Sequence, residues 1–132
     1  MIVGNDEVIA TGYVGAPRGR ENCSDIGQCI REKMQVPRGE RSELCRSVHA
    51  EANAIISAPR EAMLGSVLYL VGQEAGSGAY IEAASCCSMC KRLVINAGIE
   101  KVVVRDDADT HRVIDVAEWV RQDESLEGVF GY

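Results

Sequence analysis

No run of apolar residues in this 132-residue chain is long enough to span a bilayer, and no stretch has the build of a secretory signal peptide. The expectation is a cytoplasmic protein without a membrane partner. Lacking an export signal, the six cysteines read as reduced, metal-binding thiols rather than as a disulfide framework. A basic excess is missing too. Fourteen Lys and Arg against twenty Asp and Glu leave a formal net charge of −6. That balance argues against a nucleic-acid polymer as partner, because phosphate backbones are held by Lys/Arg clusters. A small phosphorylated substrate stays open, since it needs only one or two placed cations. What is present, at 46% apolar content, is enough for one globular domain over residues 1–132 with a real core.

The residues that can carry chemistry fall in two stretches, His49-Ala50-Glu51 and Cys87-Ser88-Met89-Cys90. His49, Cys87 and Cys90 are three ligands of the kinds zinc takes, and Glu51 is an uncommitted acid beside them. A structural zinc closes its tetrahedron with four protein ligands; three leave the fourth position to water, whose pKa zinc draws toward ~7. Glu51 then reads as the proton carrier. Each half is weak alone: His-x-Glu arises by chance on a polar helix face, and Cys-x-x-Cys is as often a redox pair or half of a structural site. Together, each opening a helix, they point to catalytic zinc. Residues 49–58 are strong helix formers, with Ser47 as a cap and Pro59 as the stop. Residues 87–97 keep the helical period through Cys90, Leu93, Val94 and Ala97 and meet a terminator at Gly98. Both helices thus turn their positive ends to the metal, which favours thiolates at Cys87 and Cys90.

On these motifs the chain resembles the zinc-dependent cytidine/deoxycytidylate deaminase superfamily, with its H-x-E…P-C-x-x-C pattern. Gly12-Tyr13-Val14-Gly15-Ala16-Pro17-Arg18-Gly19, Val48-His49-Ala50-Glu51-Ala52-Asn53-Ala54-Ile55 and Ile95-Asn96-Ala97-Gly98-Ile99 are most similar to bacterial dCMP deaminases. The likeness runs from about Ile2 to about Val104. It implies an α/β fold, a three-layer α-β-α sandwich with a mixed central sheet. It implies zinc on His49, Cys87 and Cys90, and hydrolytic deamination of dCMP to dUMP and ammonia with Glu51 moving the protons. Asn53, one helical turn beyond His49, would reach a sugar hydroxyl, and the loop bearing Arg18 and Arg20 would contribute to nucleotide binding. The resembling enzymes form homo-oligomers, often hexamers, and many answer to dCTP and dTTP with magnesium. Other substrates within the superfamily are a free nucleoside, another cytosine nucleotide or an adenosine in tRNA. A reading of another class is a non-catalytic zinc module, such as a regulatory subunit.

The chain also departs from the family. Val14 stands where an Asn is usual, and Cys86 where a proline precedes the first thiolate ligand, placing a spare thiol beside the metal. The resembling proteins carry a helix and the start of the first strand ahead of the position of Met1, so one sheet face is expected to need cover from elsewhere.

In chain order, residues 1–13 read as a hairpin turning at Gly4-Asn5-Asp6, followed by a Gly/Pro-rich loop over 14–23. There Arg18 and Arg20 either hold phosphate or merely solvate the loop. Ser24-Asp25 cap one short helix with Ile26, Cys29, Ile30 and Met34 on a single face, ending at Pro37. Cys23, Cys29 and Cys45 offer a second, structural zinc three thiols, with His111 or a carboxylate as fourth ligand, or else pack as small hydrophobes. Residues 66–71 read as a buried strand and 72–84 as a loop or small hairpin. Tyr80 in that loop either closes over a base or is an exposed turn aromatic. Lys101–Arg105 is a strand, and Asp115 opens a helix carrying Val116, Trp119 and Val120. Arg105 and His111 either contact phosphate or end a solvated strand.

Overall fold

Asn5 and Asp6 both hold positive φ, 51° and 62°, the backbone that a two-residue hairpin turn of the right twist requires. They join β1 (Ile2–Gly4) to β2 (Glu7–Ala10) as the expected hairpin. The chain is seen in a computed structural model that describes residues 1–37 and 40–123. β3 (Val67–Val71) pairs antiparallel with β1 and parallel with β4 (Lys101–Arg105). β5 (His111–Asp115) adds to β4 antiparallel. The order β2-β1-β3-β4-β5 makes a mixed five-stranded sheet, the α/β architecture the motifs imply.

Side chains alternate along these strands with period two, and the sequence puts its branched residues to use on both faces. Ile2, Leu68, Val102 and Val104 point to one side and are fully buried there. Tyr69, Val71 and Val113, on the other side, are exposed. The parallel pair β3/β4 requires a crossover, supplied by α5 (Ser88–Ala97). Cys90, Val94 and Ala97 recur on its buried face, and it packs between α3 (Ala50–Ile55) and α6 (Val116–Arg121). Gly98 ends α5 in the left-handed conformation, φ 80°, as its position predicts. At α6 the Asp115 carboxylate accepts from the Ala117 N–H at 2.9 Å, so the expected cap is in place.

Several expectations need correcting. The single helix read over 24–36 is two, α1 (Cys23–Ile26) and α2 (Ile30–Lys33), because Gly27 takes φ 70° and terminates the first. Asn22, not Ser24, caps α1, in a reciprocal pair with Asp25. No residue of either helix is buried. α3 ends at Ile55 rather than 58, and Pro59 starts a further turn, α4 (Arg60–Met63), instead of only stopping the one before. β5 was not expected at all. Among the described residues, no helix is long and apolar enough to cross a membrane.

Candidate active site

The two motif helices begin at the metal-type residues themselves. His49 is the N-cap of α3, with extended φ/ψ of −67° and 151°, and Cys87 is the N-cap of α5, at −64° and 164°. Ser47 does not cap α3. The His49 ring makes no capping bond because it turns across to the thiols of α5. Its Nδ1 lies 3.3 Å from Cys87 Sγ and 3.5 Å from Cys90 Sγ. Cys87 Sγ meanwhile accepts from the Cys90 N–H at 3.4 Å, the N-cap geometry that a serine oxygen usually provides. All three ligand atoms lie within 4.8 Å of one another.

These spacings fit zinc. With Zn–S near 2.3 Å and Zn–N near 2.0–2.1 Å, a tetrahedral N···S edge spans about 3.5–3.6 Å. One imidazole and two thiols form a borderline-soft donor set, and Cys90 and Cys87 are buried, so a cation here exchanges water for protein ligands. Among the described residues no fourth His, Cys, Asp or Glu joins the group. Cys23, Cys29 and Cys45 form no group of their own there, and His111 joins none. A second zinc on those thiols has no geometric support.

The electrostatics prepare one thiolate. Cys87 is drawn well below the usual thiol range, first by the hydrogen bond from the Cys90 thiol, with the Cys90 N–H and His49 adding to it against the cost of burial. The same hydrogen bond, from the donor's side, pushes Cys90 up. Glu51 is buried in the first turn of α3, two residues after His49; its carboxylate is hydrogen-bonded with the Cys86 thiol, and its charge raises Cys86, Cys87 and Cys90 alike. Cys86 is pushed far up, by burial first and Glu51 next. Its sulfur is not among the three ligand atoms that lie together, those of His49, Cys87 and Cys90, so the spare thiol stays outside the metal group.

Two cavities flank α3. The larger, about 590 Å³, is walled by Glu51 together with Thr11, Gly12, Tyr69, Val103 and His111. The smaller, about 330 Å³, contains Arg18, Arg20, Asn53 and Ser57. The structure therefore brings Arg18 and Asn53 together but sets them apart from the cavity that touches Glu51. Asn53 donates one amide hydrogen to the Tyr13 carbonyl at 2.8 Å, which leaves its second N–H and its Oδ1 to meet a sugar hydroxyl. Arg105 lies over the Tyr80 ring at 5.3 Å and bonds the Asp107 and Ala108 carbonyls. Both side chains are thus committed to the turn after β4, and Tyr80 also pairs with Gln73 as the small hairpin expected there.

One functional residue escaped the sequence reading. Gly12 passes so close to α3 that a Cβ there would collide with the Ala50 carbonyl oxygen and sit 2.5 Å from the Ala54 nitrogen. No local pattern signals such a long-range approach. Gly12→Ala is expected to push the loop off α3, at about 1–3 kcal/mol for overpacking, and to loosen the start of the helix where His49 and Glu51 stand. Urea unfolding and zinc content of the variant check both effects.

Comparison with known proteins agrees with this geometry. Residues 1–106 match the family model described as the cytidine and deoxycytidylate deaminase zinc-binding region. The chain belongs to this deaminase family. The deoxycytidylate deaminase of Mycobacterium phage D29 is 32% identical over 108 residues, covering 78% of this chain and 73% of that protein. The deoxycytidylate deaminase of Schizosaccharomyces pombe is 34% identical over 104 residues, 78% of this chain but 28% of its own length. That of Saccharomyces cerevisiae is 34% identical over 119 residues, 86% of this chain and 33% of its own. The chain thus spans about a third or less of the yeast relatives. In this deaminase family the metal is zinc, and His49, Cys87 and Cys90 are a group suited to hold it.

Proposed function

We propose that this chain deaminates dCMP to dUMP and ammonia, with zinc on His49, Cys87 and Cys90 and with Glu51 as the proton carrier. The observation that carries the reading is a buried carboxylate set beside a three-ligand group whose fourth corner no described side chain fills. Zinc, when bound, supplies a water made nucleophilic at neutral pH. Glu51 takes the proton that this water gives up on adding to C4 of the cytosine ring, and passes it to N3. It then moves the remaining hydroxyl proton to the amino group. The C4–N bond breaks, ammonia leaves, and the ring keeps its N3 proton as uracil. Burial of Glu51 keeps bulk water from competing for those protons.

Asn53 Oδ1 serves as acceptor for a sugar hydroxyl and Arg18 as a cation for the phosphate. The names of the relatives favour dCMP among cytosine compounds. The test is release of ammonia and uracil product from dCMP, deoxycytidine and dCTP by the zinc-loaded protein; no turnover of any of them would end the reading. The proposal includes self-association, supported by the exposed Tyr69, Val71 and Val113 on one sheet face. Light scattering after size exclusion is expected to give more than one chain per particle, and a monomer at all concentrations would remove that part.

A further inference from the structure

Cys86 is the thiol that the metal group leaves out, yet it is buried, at 2% exposure. The family's pattern has a proline at this position, and a proline side chain has no hydrogen to donate. The backbone around Cys86 is held from both sides. Upstream, Arg112 Nη2 donates to the Ala84 carbonyl at 2.6 Å, while the same guanidinium pairs with Asp106 at 2.7 Å. Downstream, Cys87 caps α5, its Sγ accepting from the Cys90 N–H at 3.4 Å. Between these two anchors the Cys86 side chain meets Glu51, and thiol and carboxylate are hydrogen-bonded.

Glu51 needs such a partner. It is 7% exposed, and the ion pairs among the described residues, Arg41–Glu43, Lys101–Glu100 and Arg112–Asp106, do not include it. Burying a carboxylate is costly unless donors reach it. An ionised carboxylate only accepts, and a thiol of ordinary pKa, about 8.5, keeps its proton at neutral pH, so the Cys86 S–H is the donor. The bond engages one carboxylate oxygen and leaves the other for the corner that His49, Cys87 and Cys90 leave open. It also ties the two motif stretches together a second time, one residue before Cys87 and two residues after His49.

We infer that the Cys86 thiol holds the Glu51 carboxylate in place for proton transfer, a hydrogen bond that the proline of the family's pattern could not make. Cys86 is a positioning residue: it acts on the substrate only through Glu51. The role rests on the proposed deamination, whereas the hydrogen bond itself does not depend on turnover.

The test uses the zinc-loaded chain. Ligating thiols are deprotonated, so the infrared S–H stretching band then arises from Cys86 and from Cys23, Cys29 and Cys45. Glu51→Gln replaces a charged acceptor by a neutral one of the same size, which weakens the bond. The Cys86 band is expected to move to higher frequency while the other three stay. Steady-state assays on dCMP supply the second measurement. Cys86→Ala is expected to lower kcat about tenfold with KM held, the lower end for a hydrogen bond to a charged group because a thiol is a weak donor. Cys86→Ser, which keeps a donor, is expected to recover most of that loss; a residue that only packs would lose as much with serine as with alanine. Circular dichroism and zinc content screen out misfolded variants. An S–H region that Glu51→Gln leaves unmoved overturns the inference. So does a kcat within threefold of the unmodified chain in Cys86→Ala, or a serine variant no better than the alanine one; turnover of dCMP by the unmodified chain keeps the deaminase reading in each case. A band that moves in a chain that turns over no cytosine compound keeps the hydrogen bond but removes the deaminase reading, and the role in proton transfer with it.

Discussion

Glu51→Gln is expected to keep its zinc and its fold and to lose about 10²–10⁴-fold in kcat, the range for a general acid–base group, or about 3–5 kcal/mol of barrier. The amide matches the carboxylate in size, so the buried position in the first turn of α3 is not disturbed. It cannot accept a proton from water, and it cannot deliver one to N3 or to the leaving amine. Metal retention follows from the sign of the electrostatics. The Glu51 charge raises Cys87 and Cys90, so removing it makes the thiolates easier to form, and zinc affinity holds or improves. Stopped assays on dCMP, with zinc measured on the same sample, test both halves. Turnover within tenfold of the unmodified chain would contradict the assigned role.

Cys90→Ala is expected to empty the site and to destabilise the whole domain. Cys90 is fully buried and shares its helix face with Val94 and Ala97 in the core. The metal would therefore fasten the starts of α3 and α5 to the same apolar layer that covers the sheet. A ligand that binds only the folded state stabilises by about 4 kcal/mol when free metal is a thousandfold above its dissociation constant. That corresponds to a fall of about 10 °C or more in the thermal midpoint. A strong chelator acting on the unmodified chain should reproduce the shift, because metal binding and folding are linked. Calorimetric melts of the variant, the chelated chain and the zinc-loaded chain check this; three coincident midpoints would mean that no metal contributes to the fold.

The elements that could be read from the sequence are those whose signals are local. Gly98 marks the end of α5, Asn5-Asp6 the first hairpin and Asp115 the start of α6, because each is set by its own backbone and its neighbours. The metal trio was legible because ligand chemistry restricts residue type more than geometry does. What was missed depends on distant partners. His111-Arg112-Val113-Ile114-Asp115 has too little apolar character to announce a strand, and β5 exists because β4 offers it an edge. His49 displaces Ser47 as the cap because two thiols nearly forty residues away orient its ring. The Asn53 amide donates to the Tyr13 carbonyl, forty residues back, a contact that helical spacing does not announce. Gly27 lay inside an apolar period that seemed continuous, and its left-handed backbone divides the helix all the same.

The account turns on the coordination of a single metal, and X-ray absorption at the zinc edge of the loaded, ligand-free protein tests it most directly. It predicts one zinc per chain with two sulfur neighbours at about 2.3 Å and two nitrogen or oxygen neighbours at about 2.0–2.1 Å, one from His49 and one from solvent. A third sulfur, brought in by Cys86, or a second zinc on Cys23, Cys29 and Cys45 would contradict it.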